Sequence, residues 1–248
     1  PGTYDLSSVN SITSSGVMWS MEVKRGLIEH IPQVALMDSF GASEAVGFGM
    51  SVTTAEGVVE TARFEIGQHC KVFSEDGREI QPGAEEPGLI ARGGSVPLGY
   101  YKDEKKSAET FRTINGVRYA IPGDWSTVAE DGTLTLLGRG SNCINSAGEK
   151  IYPEEVEEAL KEHDSVRDAL VVGVPDDKWG QSVTGVVELA DGATADEDEL
   201  RAFVRTRLAP YKAPKRVLFA DDLKRAPNGK ADYKRLRTLA YAALGIPT

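Results

Sequence analysis

The apolar positions of this chain change their spacing once, near residue 140. Between about 46 and 137 they fall in short runs: Phe64 to Ile66, Lys71 to Phe73, Leu89 to Arg92, Val117 to Ile121 and Thr133 to Leu137. Turn signals separate the runs. Glu75-Asp76-Gly77 and Glu130-Asp131-Gly132 are of hairpin type, because glycine reaches positive φ at little steric cost. That texture predicts a small barrel or sandwich of strands. Upstream, a Ser-rich stretch (Ser7 to Ser15) precedes a helical pattern of Met21, Val23, Leu27 and Ile28 that stops before Pro32. Val34 to Met37 then opens a strand that runs into Asp38-Ser-Phe-Gly-Ala-Ser-Glu44.

Beyond residue 140 helices and strands alternate. Pro153 suits the first turn of a helix, Glu154 and Glu155 face the positive end of its dipole, and Val156, Ala159 and Leu160 recur at helical spacing. Glu157 and Lys161 are spaced for an i,i+4 pair on that helix. Ala169 to Val174 predicts a strand ended by Pro175. Ser182 to Leu189 predicts another, with Val183, Gly185, Val187 and Leu189 on one face. Thr194-x-x-Glu197 reads as a capping box for a helix that buries Leu200, Phe203, Val204 and Leu208. Val217 to Phe219 is a third strand, and a last helix carries Leu236 and Leu239. The fold class expected is α+β (mixed α/β), with domains at 1–139 and 140–248.

Composition narrows the functions. The 248 residues suffice for one large or two ordinary domains, at about 150 residues each. A net charge of −10 argues against a nucleic-acid partner, which needs a basic surface. Two separated cysteines, Cys70 and Cys143, and three isolated histidines form neither a disulfide framework nor a zinc site. No run reaches the length of a membrane span and no signal peptide is visible, so a cytoplasmic location is the default expectation. The opening Pro1-Gly2, with no methionine, reads as the start of a fragment.

Five short strings could carry chemistry, and each has a bland reading. Ser39-Phe40-Gly41-Ala42-Ser43-Glu44 reads as a strand-to-loop turn, yet it also assembles an aromatic face for a purine, a glycine allowing close backbone approach, and a hydroxyl and carboxylate for phosphate and Mg²⁺. Gly88-Leu-Ile-Ala-Arg-Gly-Gly-Ser-Val-Pro-Leu-Gly-Tyr-Tyr101 reads as β structure with tight corners. Tyr119-Ala-Ile-Pro-Gly-Asp124 reads as a turn. Gly138-Arg139-Gly140-Ser141, before Tyr152-Pro-Glu-Glu-Val-Glu157, reads as a joint between domains. Pro227-Asn-Gly-Lys230 reads as a turn with an exposed lysine, and the chain lacks a Walker loop.

In this order, from residue 38 to residue 230, the strings resemble the motifs of the adenylate-forming superfamily of acyl-CoA synthetases, luciferases and peptide-synthetase adenylation domains. The run from Gly138 to Glu158 looks most like bacterial fatty-acyl and steroid-acid CoA ligases. The resemblance implies the end of a large adenylating domain, containing a β-barrel-like subdomain at about 46–137, followed by a hinge and a small mobile C-terminal domain. It implies ATP-dependent joining of a carboxylic acid to AMP and transfer to coenzyme A. Ser39, Phe40, Gly41, Ser43, Asp124 and Arg139 would bind nucleotide, and Glu44 would hold Mg²⁺. Lys230 and Glu44 would be catalytic, Ser141 the hinge, and Ser146, Ala147, Gly148 and Glu149 the loop on the coenzyme A side. Departures from the family pattern are Phe40 for Tyr, Ser43 for Thr, Pro122 for Thr, Ser141 for Asp or Lys, Asn145 for Lys and Ala147 for Gly. Two alternatives stand beside this reading: an adenylation domain that loads a carrier protein, and a non-catalytic fragment.

Overall fold

The computed structural model describes residues 4–57 and 61–247, so residues 58–60 of the expected β span lie outside it. The chain divides into two compact units, Pro1–Leu137 and Gly138–Thr248.

The first unit begins with β1 (Ser11–Ser15), α1 (Met21–His30) and β2 (Ala35–Ala42), with β1 and β2 parallel from Ser11↔Ala35 to Ser15↔Ser39. Ser20 caps α1, its hydroxyl accepting from the Val23 N–H. β3 (Ala45–Thr53), β4 (Arg63–Ile66), β5 (Cys70–Phe73), β6 (Gly88–Arg92), α2 (Glu104–Thr110), β7 (Phe111–Ile114), β8 (Val117–Ala120), β9 (Asp124–Val128) and β10 (Leu134–Arg139) follow. The strands lie in one open path, β1-β2-β3-β4-β10-β9-β6-β8-β7, with β5 on β6. The expected barrel therefore does not close among the described residues. β1 pairs along a parallel edge and β7 ends the path on a local hairpin with β8, so neither edge reaches the other. The core gathers Phe40, Phe48, Phe64, Val72, Ile90, Phe111 and Leu134, residues far apart in sequence.

The second unit holds a 3₁₀ turn at Gly140–Asn142, β11 (Ile144–Ser146), β12 (Glu149–Ile151), α3 (Pro153–Lys161), β13 (Val166–Asp176), β14 (Gly180–Leu189), α4 (Glu197–Arg205), β15 (Arg216–Phe219) and α5 (Tyr233–Leu244). Its five strands run β12-β11-β14-β13, with β15 parallel on β14. Both faces of the sheet are covered. Val171, Val183 and Val187 pack with Val156 and Leu160 of α3 and with Leu200 and Val204 of α4. Leu170, Val172, Val174 and Val186 pack with Leu236 and Ala240 of α5. Successive residues of a strand point to opposite faces, so a doubly covered strand reads as an unbroken apolar run. Val183, Val187 and Leu189 share one face of β14 as expected, and Val186 on the opposite face is covered as well. β13 also passes through Pro175, which pairs with Gln181, and ends at Asp176. The helix at 197 is capped by Asp196, two positions after the expected Thr194, and the Asp196 carboxylate accepts from the Glu199 N–H at 2.8 Å.

Candidate functional site

In the first unit the candidate residues concentrate where β2 turns into β3. Ala42 and Ala45 pair, so Ser43 and Glu44 form the two-residue tip of a hairpin. Ser39 is locked into the sheet: the Ser15 hydroxyl donates to its carbonyl at 2.8 Å. Gly41 sits in ordinary contact with Gly47 and Val46, since a Cβ there would approach no atom nearer than 3.5 Å. Its own fold does not demand glycine, which leaves room for another reason to keep the position small.

Phe40 departs from expectation. Its ring is 7% exposed and stacks at 5.4 Å on Phe48 and 5.5 Å on Phe64. It pins β2 to the core rather than offering a free face.

Glu44 is half-buried, and the Tyr100 hydroxyl donates to its carboxylate. Tyr100 is itself held. Its N–H donates to the Ser107 hydroxyl at 2.7 Å, Phe111 lies 5.6 Å from its ring, and the Lys106 ammonium sits 4.3 Å above it. Gly99 is required here, because a Cβ would lie 2.8 Å from the Ser107 hydroxyl. The Gly99-Tyr100 string, expected to be purely structural, thus orients the acidic tip. Among the described residues no cluster of three or more His, Cys, Asp or Glu side chains could cage a metal. A lone oriented carboxylate fits Mg²⁺, which keeps its waters and borrows oxygens from phosphates.

Asp124 opens β9 and is 8% exposed. Gly123 before it takes φ +98 with open space around its α-carbon, the sharp turn that Pro122-Gly123 anticipates.

A buried charge pair beneath β2 escaped the sequence reading. Lys24 of α1, 0% exposed, reaches Asp38 of β2 at 3.2 Å. Burial pushes the Asp38 carboxyl up, against the opposing pull of Lys24. Helical spacing placed Lys24 between Val23 and Leu27 but gave no reason to turn it inward.

In the second unit the joint has a defined form. Gly138 takes φ +139, a backbone conformation that residues with a side chain rarely adopt, and the Glu154 carboxylate lies against its α-carbon. Arg139 and Ser141 are exposed on either side of Gly140. The Ser146–Glu149 loop is the β11–β12 hairpin, with Ala147 at φ +53 and Gly148 at φ +89. Two positive φ angles make it a primed turn. Ala147 takes it at a steric disadvantage of about 1 kcal/mol relative to a residue without Cβ, and its N–H donates to the Trp179 carbonyl at 2.8 Å.

Lys230 is exposed at the end of a closed turn. The Gly229 N–H donates to Ala226 O at 2.8 Å, and the Ala226 N–H donates back to Lys230 O at 2.9 Å. The Lys230 N–H donates to Asn228 Oδ1 at 3.2 Å.

On α3 the i,i+4 pair of Glu157 with Lys161 is replaced by an i,i+3 pair of Glu158 with Lys161. Glu157 instead turns inward, 5% exposed, where Val171 N–H donates to it at 2.9 Å and the Tyr233 hydroxyl at 3.0 Å. Glu155 receives the Tyr152 N–H at 3.3 Å and pairs with Lys212 at 2.6 Å.

Comparison with known proteins joins these observations. Residues 155–230 match the AMP-binding enzyme C-terminal domain. The Medium/long-chain-fatty-acid--CoA/3-oxocholest-4-en-26-oate--CoA ligase of Mycobacterium tuberculosis (strain CDC 1551 / Oshkosh) is 52% identical over 233 residues, covering 93% of this chain and 42% of its own. The 3-oxocholest-4-en-26-oate--CoA ligase of Rhodococcus rhodochrous is 47% identical over 238 residues, with 93% and 42% covered. A crystal structure of ATP-bound MatB from Rhodopseudomonas palustris superposes with a TM-score of 0.78 at 27% identity, over 94% of this chain and 45% of that one. The chain spans less than half the length of the curated relatives it matches. Residues 155–230 therefore belong to the AMP-binding enzyme C-terminal domain family, and over 93% of its length the chain is similar to CoA ligases.

Proposed function

We propose that this chain is the later part of an acyl-CoA synthetase acting on a fatty acid or a steroid side-chain carboxylate, the acids named for its relatives. The observation that carries the reading is the match over residues 155–230, which ends on Lys230. In the first half-reaction a carboxylate oxygen attacks the α-phosphorus of ATP and pyrophosphate leaves. A carboxylate is a poor electrophile, and the mixed anhydride gives it a leaving group of low basicity. In the second, the coenzyme A sulfur attacks the acyl carbon, its proton departs, and AMP is released.

The roles are those that the resemblance of the motifs implies, and each suits its side chain's chemistry. Asp124 accepts hydrogen bonds from the ribose diol through both half-reactions, and Arg139 adds a cation toward the nucleotide. Ser39, Gly41 and Ser43 line the backbone approach to the nucleotide, while Phe40 fixes that strand from the core. Mg²⁺ would be held by Glu44 and would screen the phosphates. Lys230 faces the charge that builds on the α-phosphate. Ser141 is the pivot of the joint, and Ser146 to Glu149 form the loop past which the thiol arm reaches the acyl group.

The test uses the full-length protein and separates the half-reactions. Lys230→Ala is expected to lower carboxylate-dependent ATP–pyrophosphate exchange by about 10²–10³, equivalent to about 3–4 kcal/mol. Thioester formation from supplied acyl-adenylate should stay near the parent rate. Asp124→Ala should weaken both steps. Equal losses of both steps in Lys230→Ala would remove the assignment.

A further inference from the structure

Lys230 lies on a turn with no sheet or helix of its own, five residues after Arg225 and three before Tyr233, the first residue of α5. A loop-borne lysine placed only by its own turn would sample many positions. Two side chains flanking it are instead tied to the body of the domain. Arg225 clasps Asp168 of β13 with two nitrogens, Nε at 2.6 Å and Nη2 at 2.9 Å, and spends its third, Nη1, on the carbonyl of Gly229 at 3.1 Å. That carbonyl belongs to the peptide bond that leads into Lys230. Asp168 accepts from the Ala169 N–H at 2.8 Å and begins the stretch of β13 that pairs continuously with β14 as far as Asp176, so the clasp rests on a sheet strand. On the far side the Tyr233 hydroxyl donates to Glu157 of α3 at 3.0 Å.

A planar guanidinium can hold a carboxylate in two parallel bonds and still offer a third donor in a fixed direction, which an ammonium cannot. We propose that Arg225, anchored on Asp168, is a positioning residue for adenylation, fixing the Pro227–Lys230 turn through the Gly229 carbonyl so that the Lys230 ammonium is preset for the α-phosphate. The inference rests on the reading of Lys230 given above. It adds that the turn's placement, and not the lysine's charge alone, limits the first half-reaction.

The experiment is a double-mutant cycle in the full-length protein, read as pyrophosphate exchange, as thioester formation from supplied acyl-adenylate, and as thermal midpoint. Arg225→Ala should slow exchange by about 10- to 100-fold, the scale of an ångström's misplacement, and leave thioester formation within about twofold. Arg225→Lys should recover only part of the loss. Arg225→Ala added to Lys230→Ala should slow exchange no further, because a positioning residue acts only through the group it positions. If Arg225→Ala does not fold, Asp168→Asn keeps the shape of the anchor and weakens the clasp, and should give the same pattern at smaller size.

Parent-like exchange in Arg225→Ala beside a slow Lys230→Ala would overturn the inference and leave the reading of Lys230 intact. Additive losses in the double variant, or equal loss of both half-reactions, would assign Arg225 a structural or separate role and also overturn it. Full exchange in Lys230→Ala itself would remove the underlying reading.

Discussion

Lys24 and Asp38 bury a full charge pair under β2, the strand that ends in the candidate nucleotide turn. Taking two ions out of water is expensive, and their attraction recovers that only when both are present. Breaking the pair from one side is therefore worse than removing it. Lys24→Met should lower unfolding stability by about 3–5 kcal/mol, since it strands Asp38 without its cation. Adding Asp38→Leu should restore most of that loss. Urea unfolding of the parent, single and double variants measures both steps, and a double variant no more stable than the single would contradict the argument. Sequence alone showed a lysine on a helix and an aspartate entering a strand. What joins them is the packing of α1 on a parallel strand pair, a relation that no local pattern encodes. The same limit applies to Phe40, whose ring was readable as a platform until its neighbours Phe48 and Phe64 were in place.

Among the elements, α3 carries the clearest pH signature. Burial, then the neighbouring Glu154, push the Glu157 carboxyl up to about 8, against the pull of the Val171 N–H, Lys161 and Tyr233. The folded protein therefore binds a proton that the unfolded chain has released above about 4.5. With more protons bound in the folded state, stability falls as pH rises from about 4.5 to about 8 and then levels. Glu157→Gln keeps an acceptor for Val171 and can donate to the Tyr233 oxygen, so it should remove that slope while preserving the contacts. Unfolding midpoints of parent and variant between pH 5 and 9 should diverge in favour of the variant as pH rises, and parallel curves would exclude the role.

Legibility at this scale follows locality. β4, β5, β6 and β10 were readable because apolar runs and glycine turns bound them within a few residues. β1 was not, because a Ser-rich stretch becomes a strand only by pairing with β2. The Glu157–Lys161 spacing was correct for an exposed face, and failed because the helix turns Glu157 toward α5.

At the scale of the whole molecule, the change of texture near residue 140 coincides with the joint at Gly138 to Asn142. The structure gives the two units hydrophobic clusters of their own: those around Phe48, Leu36 and Tyr119 in the first, and those around Val171 and Val186 in the second. Each can hold its packing without borrowing residues from the other's core, which is what a movable C-terminal domain requires. The linking stretch is short, with Gly138 at a φ that other residues avoid, exposed Arg139 and Ser141, and one 3₁₀ turn. We expect it to be the site of domain alternation between the half-reactions. Limited proteolysis of the full-length protein tests this. Trypsin acts after Arg139, and proteases of other specificity should cut within about residues 138–148, because a peptide bond must leave its folded conformation to be cleaved. An acyl-adenylate analogue should slow the cuts by favouring one arrangement of the domain, since a ligand shifts a conformational equilibrium by its differential affinity. Cleavage at that stretch, slowed by the analogue but not by the free acid, is the expected pattern. Equal resistance with and without the analogue would mean that the joint is rigid, and the two half-reactions would then need an explanation without movement of the C-terminal domain.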